Sequence, residues 1–78
     1  MKKKEDIEPI YAAIGSRVRY MRDVLDINQA VLAKKLGMTR TSLTNFELGR
    51  QRLPLHKIEL IAESLGTTPK NLLKGIWF

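Results

Sequence analysis

The chain has no cysteine among its 78 residues. That excludes disulfides and cysteine-ligated metal sites, so a small core must be held by packing alone. The absence also suits a reducing cytoplasm, where disulfides seldom persist. Histidine is nearly absent too, with His56 the single example. A lone histidine at a helix start, with no thiol elsewhere, makes neither a nucleophile–base pair nor a metal cluster. Glycine is sparse and dispersed, at Gly15, Gly37, Gly49, Gly66 and Gly75, so there is no phosphate-cradling loop. Glu59 and Glu63 stand four apart, which is the spacing of an ordinary wet helix face. No run approaches the roughly 18 apolar residues that span a bilayer. Met1-Lys2-Lys3-Lys4 could open a signal peptide, but Glu5, Asp6, Glu8 and Pro9 stand where its apolar stretch should begin. These absences point away from catalysis, cofactor, metal and membrane, and toward a cytoplasmic protein.

What is present is positive charge, and it is focused. Lys and Arg outnumber Asp and Glu by 14 to 8. Between Ile27 and Lys57 the basic residues are Lys34, Lys35, Arg40, Arg50, Arg52 and Lys57, opposed by Glu47 alone, a net charge of +5. Such a patch attracts polyanions by releasing their condensed counterions.

Apolar spacing predicts five helices and no strand. Residues 1–8 read as a charged, frayed arm, and 9–78 as one domain. Pro9 opens a first helix with Ile10, Ile14, Val18, Met21 and Leu25 on one face, ending around Asp26. Arg17, Arg19, Arg22 and Asp23 fall on or near its wetter side. Asn28 caps a second helix with Ala30, Leu32, Ala33 and Leu36 inward, stopped by Gly37. Ala33 is small enough for the next helix to cross closely. Thr39 caps a third helix, Arg40 to Leu48, anchored by Leu43 and Phe46 and ended by Gly49. Pro54 starts a fourth, with Ile58, Ile61, Ala62 and Leu65 inward before Gly66. Thr68-Pro69 starts a brief fifth with Leu72 and Leu73 inward, ending near Gly75. The second and third helices, joined by about three residues, read as a helix-turn-helix. The outer face of the third carries Arg40, Thr41, Thr44 and Asn45, all able to reach base edges.

NQAVLAKKLGMTRTSL, the FELGRQRLP after it and the later IAESLG resemble the lambda-repressor-like helix-turn-helix family of the Cro and Xre kind. The likeness covers roughly Ile14 to Leu73. It implies an all-α, compact five-helix domain whose third helix lies in a DNA major groove, with Arg40, Thr41 and Asn45 on bases and Thr44 a weaker candidate. It places Gln29 against a phosphate, where a helix N-terminus favours an anion. Arg50 and Arg52 are assigned to phosphates by the same resemblance. Asn28 and Ser42 are further backbone candidates that capping and helix solvation explain equally well, and Arg17 matches a position that sometimes reaches phosphate. The family pattern also pairs an arginine of the first helix with a glutamate late in the third, here Arg22 and Glu47. Turning the one acid of the basic window inward would hide its charge from DNA and tie the reading helix to the scaffold.

The expected function is sequence-specific binding of double-stranded DNA as a transcription regulator, most often a repressor. A homodimer would read a palindromic operator through the major groove. The alternative is an antitoxin or adaptor that uses the same fold to bind a protein partner. Ile76, Trp77 and Phe78 form an unusually apolar chain end, which either covers the core or makes a dimer contact.

Overall fold

Proline at a first helical turn has the right φ and no amide to leave unpaired. In the computed structural model, which describes residues 8–76, α1 accordingly begins at Pro9 and runs Pro9–Val24. It is followed by α2 (Gln29–Lys35), α3 (Arg40–Glu47), α4 (Leu55–Ser64) and α5 (Pro69–Leu73). All the regular structure among the described residues is helical. The expected arm up to Glu8 falls outside the described residues, Glu8 excepted.

Three helix starts use the anticipated side chains. Asn28 Oδ1 accepts from the Ala30 amide at 2.7 Å, Thr39 Oγ1 from Ser42 at 3.0 Å, and Thr68 Oγ1 from Asn71 at 3.1 Å. Each satisfies an amide with no partner inside its helix. Pro54 acts as the N-cap of α4 rather than its first residue.

α1, α2, α3 and α4 end in the same way, on a residue with left-handed backbone and a six-to-one hydrogen bond. Gly37, Gly49 and Gly66 serve α2, α3 and α4, closed by Met38 N to Ala33 O, Arg50 N to Asn45 O and Thr67 N to Ala62 O, each at 2.8–2.9 Å. At α1 the left-handed residue is Asp26, with φ +56°, and Ile27 N donates to Arg22 O at 2.9 Å. The helix therefore stops at Val24, two residues before the expected Asp26. A Cβ is unfavourable in this conformation, less so for Asp than for most side chains. Asp26→Gly should raise stability by about 0.5–1 kcal/mol after the greater freedom of glycine in the unfolded chain is subtracted. Thermal unfolding should register this as a midpoint some 2–6 °C higher, about what that energy shifts in a domain this small; a lower midpoint would contradict it.

The core joins Ile14 and Val18 of α1, Leu32, Ala33 and Leu36 of the second helix and its cap, Leu43 and Phe46 of α3, Ile58, Ile61, Ala62 and Leu65 around α4, and Leu72 of α5. α1 packs on α3 and α5, α2 on α3 and α4, and α4 on α5. Two residues expected inward are exposed. Leu25 is the C-cap, past the last helical turn of α1. Ala30 lies about 160° round the axis from Leu32 and about 120° from Leu36, at a helix advance of about 100° per residue, and so falls beyond the edge of the buried face. The fifth helix ends at Leu73, before Gly75.

Gly15 sits in the middle of α1, buried, where α1 crosses the end of α3. A Cβ built there would lie 2.2 Å from the Phe46 carbonyl oxygen and 2.8 Å from that of Glu47. Only a residue without a side chain allows the backbones this close. Lys57 of α4 donates from Nζ to the Leu36 carbonyl, placing a cation on the negative end of α2. No helix of the described residues is long and apolar enough to cross a membrane.

Candidate nucleic-acid interface

α3 has two faces of opposite character because its apolar residues recur three apart. Leu43 and Phe46 are fully buried and Glu47 joins them. Arg40 and Thr41 are exposed on the far side, and Thr44 and Asn45 are half-buried. The basic arm of Arg40 and the polar tips of its neighbours thus stand on a helix whose other face is clamped to the scaffold.

The clamp is ionic as well as apolar. Arg22 donates from Nε to Glu47 Oε2 at 2.8 Å and from Nη2 to Oε1 at 3.1 Å, a two-pronged pair. Its Nη1 donates to the Ile27 carbonyl at 3.0 Å. The Glu47 side chain is only 3% exposed and that of Arg22 12%, so the carboxylate depends on these partners for what water would otherwise supply. The hydrogen bond to Glu47 raises the Arg22 pKa above its ordinary value, together with the charges of Glu47 and Asp23 and against the opposing effect of burial. A raised pKa stabilises the fold at every pH below the ordinary arginine value and is lost only as pH climbs through the raised one. Arg22 therefore adds no pH dependence near neutrality.

The pair continues outward. Gln29, the first residue of α2, donates from Nε2 to Glu47 Oε1 at 3.0 Å and accepts at Oε1 from Arg40 Nε at 3.0 Å. An unbroken run of hydrogen bonds thus leads from Arg22 in α1, through Glu47 and Gln29, to Arg40. Because Arg40 is held by Nε, its two outer amino groups remain at the tip, and a guanidinium fixed on one edge loses less rotamer freedom when it binds. Arg19, Arg22, Gln29, Arg40, Thr44, Glu47 and Leu48 line a cleft around this run.

The other expected contact residues are distributed unevenly. Asn28 uses Oδ1 on its cap and keeps its amino group. Ser42 is half-buried in the first turn of α3, while Thr44 donates its hydroxyl to the Arg40 carbonyl at 3.0 Å. Arg50 is exposed immediately after α3. Arg52 pairs with the Glu8 carboxylate and lies 5.4 Å from the centre of the Tyr11 ring. Arg17 is drawn elsewhere: its Nη1 donates to Leu72 O at 3.1 Å and Lys74 O at 2.9 Å, closing the end of α5. Ile76 is half-buried and packs against the core; Trp77 and Phe78 lie outside the described residues. Sequence reasoning missed the roles of Gly15 and Lys57 and the Gln29 link between Glu47 and Arg40. The polar members of α2 and α3 were visible, but a contact 18 residues apart has no local spacing to announce it.

The helix order and the exposed face of α3 define a helix-turn-helix protein, and comparison with known proteins agrees. A family profile described as "Helix-turn-helix" matches residues 18–72. The control protein C.BamHI of Bacillus amyloliquefaciens is 35% identical over 60 residues, covering 76% of this chain and 74% of that protein. A Rhodospirillum rubrum protein named as a transcriptional regulator in the ATPase CF(0) region is 32% identical over 59 residues, 76% of this chain and 55% of its own length. Two rhizobial regulators match over 45% of theirs, so the chain spans about half the length of several curated relatives. Among solved structures, the DNA-binding domain of the P22 c2 repressor superposes with a TM-score of 0.74 at 29% identity, covering 80% of this chain and 82% of that domain. The restriction-modification controller protein C.AhdI of Aeromonas hydrophila does so with a TM-score of 0.74 at 27% identity, over 80% of this chain and 94% of its own.

The chain belongs to the lambda-repressor-like helix-turn-helix family of the Cro and Xre kind, whose members are DNA-binding transcription regulators.

Proposed function

We propose that this protein binds double-stranded DNA sequence-specifically and regulates transcription, as a repressor that occupies an operator. The observation that carries the reading is the outer face of α3. Arg40 is exposed there and aimed by Gln29, beside Thr41, Thr44 and Asn45, while Glu47 on the opposite face is neutralised inside the fold. With α3 in a major groove, Arg40 gives two donors to guanine O6 and N7, Asn45 pairs with adenine, and the threonine methyls pack on thymine. Gln29, Asn28, Ser42, Arg50 and Arg52 serve the phosphates on either side, and Gln29 has a second amide proton for this beyond the one it gives Glu47. Arg17 is the weakest phosphate candidate, since it already closes α5.

A homodimer fits this reading, with two α3 helices about 34 Å apart on one face of a palindromic operator. Ile76, Trp77 and Phe78 are the proposed dimer contact, with Ile76 also serving the core. Selection from a random duplex pool should enrich an inverted repeat, and binding to a single half-site should be much weaker. A folded chain that enriches no duplex would overturn the proposal; equal binding to repeat and half-site would overturn the dimer.

The two arginines should differ in kind. Arg40→Ala is expected to cost about 1–3 kcal/mol on the selected site and much less on mixed-sequence DNA. Arg50→Ala should weaken both alike and reduce the salt slope by about one unit. Titrations of both duplexes over a salt series measure this, and matching losses for the two substitutions would refute the division of roles.

A further inference from the structure

Arg52 differs from Arg50, the other basic residue of the loop after α3, because among the described residues it is the one paired with an anion. Glu8 is the N-cap residue of α1, yet its side chain makes no capping hydrogen bond. Its carboxylate instead reaches across 44 residues of sequence to the Arg52 guanidinium. Tyr11, in the first turn of the same helix, presents its ring to that guanidinium at 5.4 Å from the centroid, within cation–π range. A carboxylate and a ring face from one helix start thus hold a cation of the basic loop. A carboxylate offers an arginine the same fork of acceptor oxygens as a phosphate does.

We propose that Glu8 and Tyr11 form an intramolecular latch on Arg52, an autoinhibitory contact in which the Glu8 carboxylate competes with a DNA phosphate for the same guanidinium. The inference rests on the phosphate-binding role proposed above for the loop after α3. While the latch is closed, one cation of the interface is neutralised, and a duplex must displace Glu8 before Arg52 can release a counterion from the backbone. The Arg52 side chain is 69% exposed and that of Glu8 33%, so the latch is weak enough to open. Its effect is to lower affinity for all DNA alike, so that at a given protein concentration fewer non-specific sites are occupied while the ratio between sites is unchanged.

The test is a double-mutant cycle read on a short mixed-sequence duplex, which reports phosphate contacts without needing the operator. Wild type, Glu8→Gln, Arg52→Gln and the double variant are titrated over a salt series. Glu8→Gln should bind about threefold tighter, the scale of an exposed ion pair, and steepen the slope of log K against log salt by up to about 0.9. In the Arg52→Gln background the same change should leave affinity and slope unaltered. Glu8→Ser, which removes the carboxylate and supplies a better helix cap, should repeat the gain and keeps the test valid if the glutamine variant unfolds. Tyr11→Leu should give a smaller gain in the same direction. An equal gain with and without Arg52 would mean only that a negative charge had been removed, and would overturn the latch. No gain in wild-type background, with wild type still binding the duplex, would overturn the latch alone. A folded wild type that binds no duplex would overturn the latch and the proposed function together.

Discussion

Gly15→Ala should destabilise this protein by about 3 kcal/mol or more, at the upper end of what overpacking costs. At an exposed helix interior the same substitution would stabilise by about 1 kcal/mol, because alanine is the better helix former. The sign reverses because the new methyl would stand 2.2 Å from one backbone oxygen and 2.8 Å from the next. Neither can swing aside as a side chain would; α1 and the end of α3 must separate. A domain of this size has a total stability of only about 4–12 kcal/mol, so the loss is a large part of the whole. The thermal midpoint should fall by roughly 10–20 °C. An unchanged or higher midpoint would show that α1 and α3 are not in this contact. DNA binding should suffer even where the variant folds, because the displaced segment is the end of the helix that carries Asn45.

Arg22→Met is the second large effect, expected at about 3–5 kcal/mol. Arg22 itself contributes little by attraction alone. The cost comes from what is left behind, a Glu47 carboxylate only 3% exposed whose remaining partner is the neutral amide of Gln29. Chemical denaturation should show a lower midpoint with an unchanged slope. Adding Glu47→Leu should restore most of the stability, since a buried ion pair can be replaced by apolar groups of similar volume at little cost. The restored variant should still read DNA poorly, because Gln29 loses the acceptor that orients it and Arg40 loses its fixed edge. Failure of the second substitution to rescue would mean that the pair does more than keep one charge company. Full recovery of sequence discrimination would mean that the run from Glu47 through Gln29 does not aim Arg40.

The five helices were legible from Pro9, Asn28, Thr39 and Thr68 at their starts and from Gly37, Gly49 and Gly66 at three of their ends, because caps and left-handed turns depend on residues a few positions apart. Two ends were placed too late, that of α5, which stops at Leu73, and that of α1, where Asp26 took the place a glycine fills elsewhere. Leu25 and Ala30 were misjudged for two reasons: periodicity does not tell how far a stripe runs before the helix stops, and in a short helix it leaves the edge of the buried face undecided. Of the candidate interface, the polar side of α3 followed directly from the inward spacing of Leu43 and Phe46. The Arg22–Glu47 pair came through family likeness.

By itself, then, the sequence determined which segments are helical, which side of α3 is apolar, and that the basic residues cluster around the helix pair. All of these are set by local capping, periodicity and composition. The tertiary structure alone decided which charges remain free. It joined Glu47 to Gln29 and Gln29 to Arg40, sent Arg17 to the end of α5, Lys57 to the end of α2 and Arg52 to Glu8, and brought α1 onto α3 at Gly15. Hydrogen bonds and close approaches depend on distances between side chains and backbones far apart in sequence, and those distances exist only once the helices have packed.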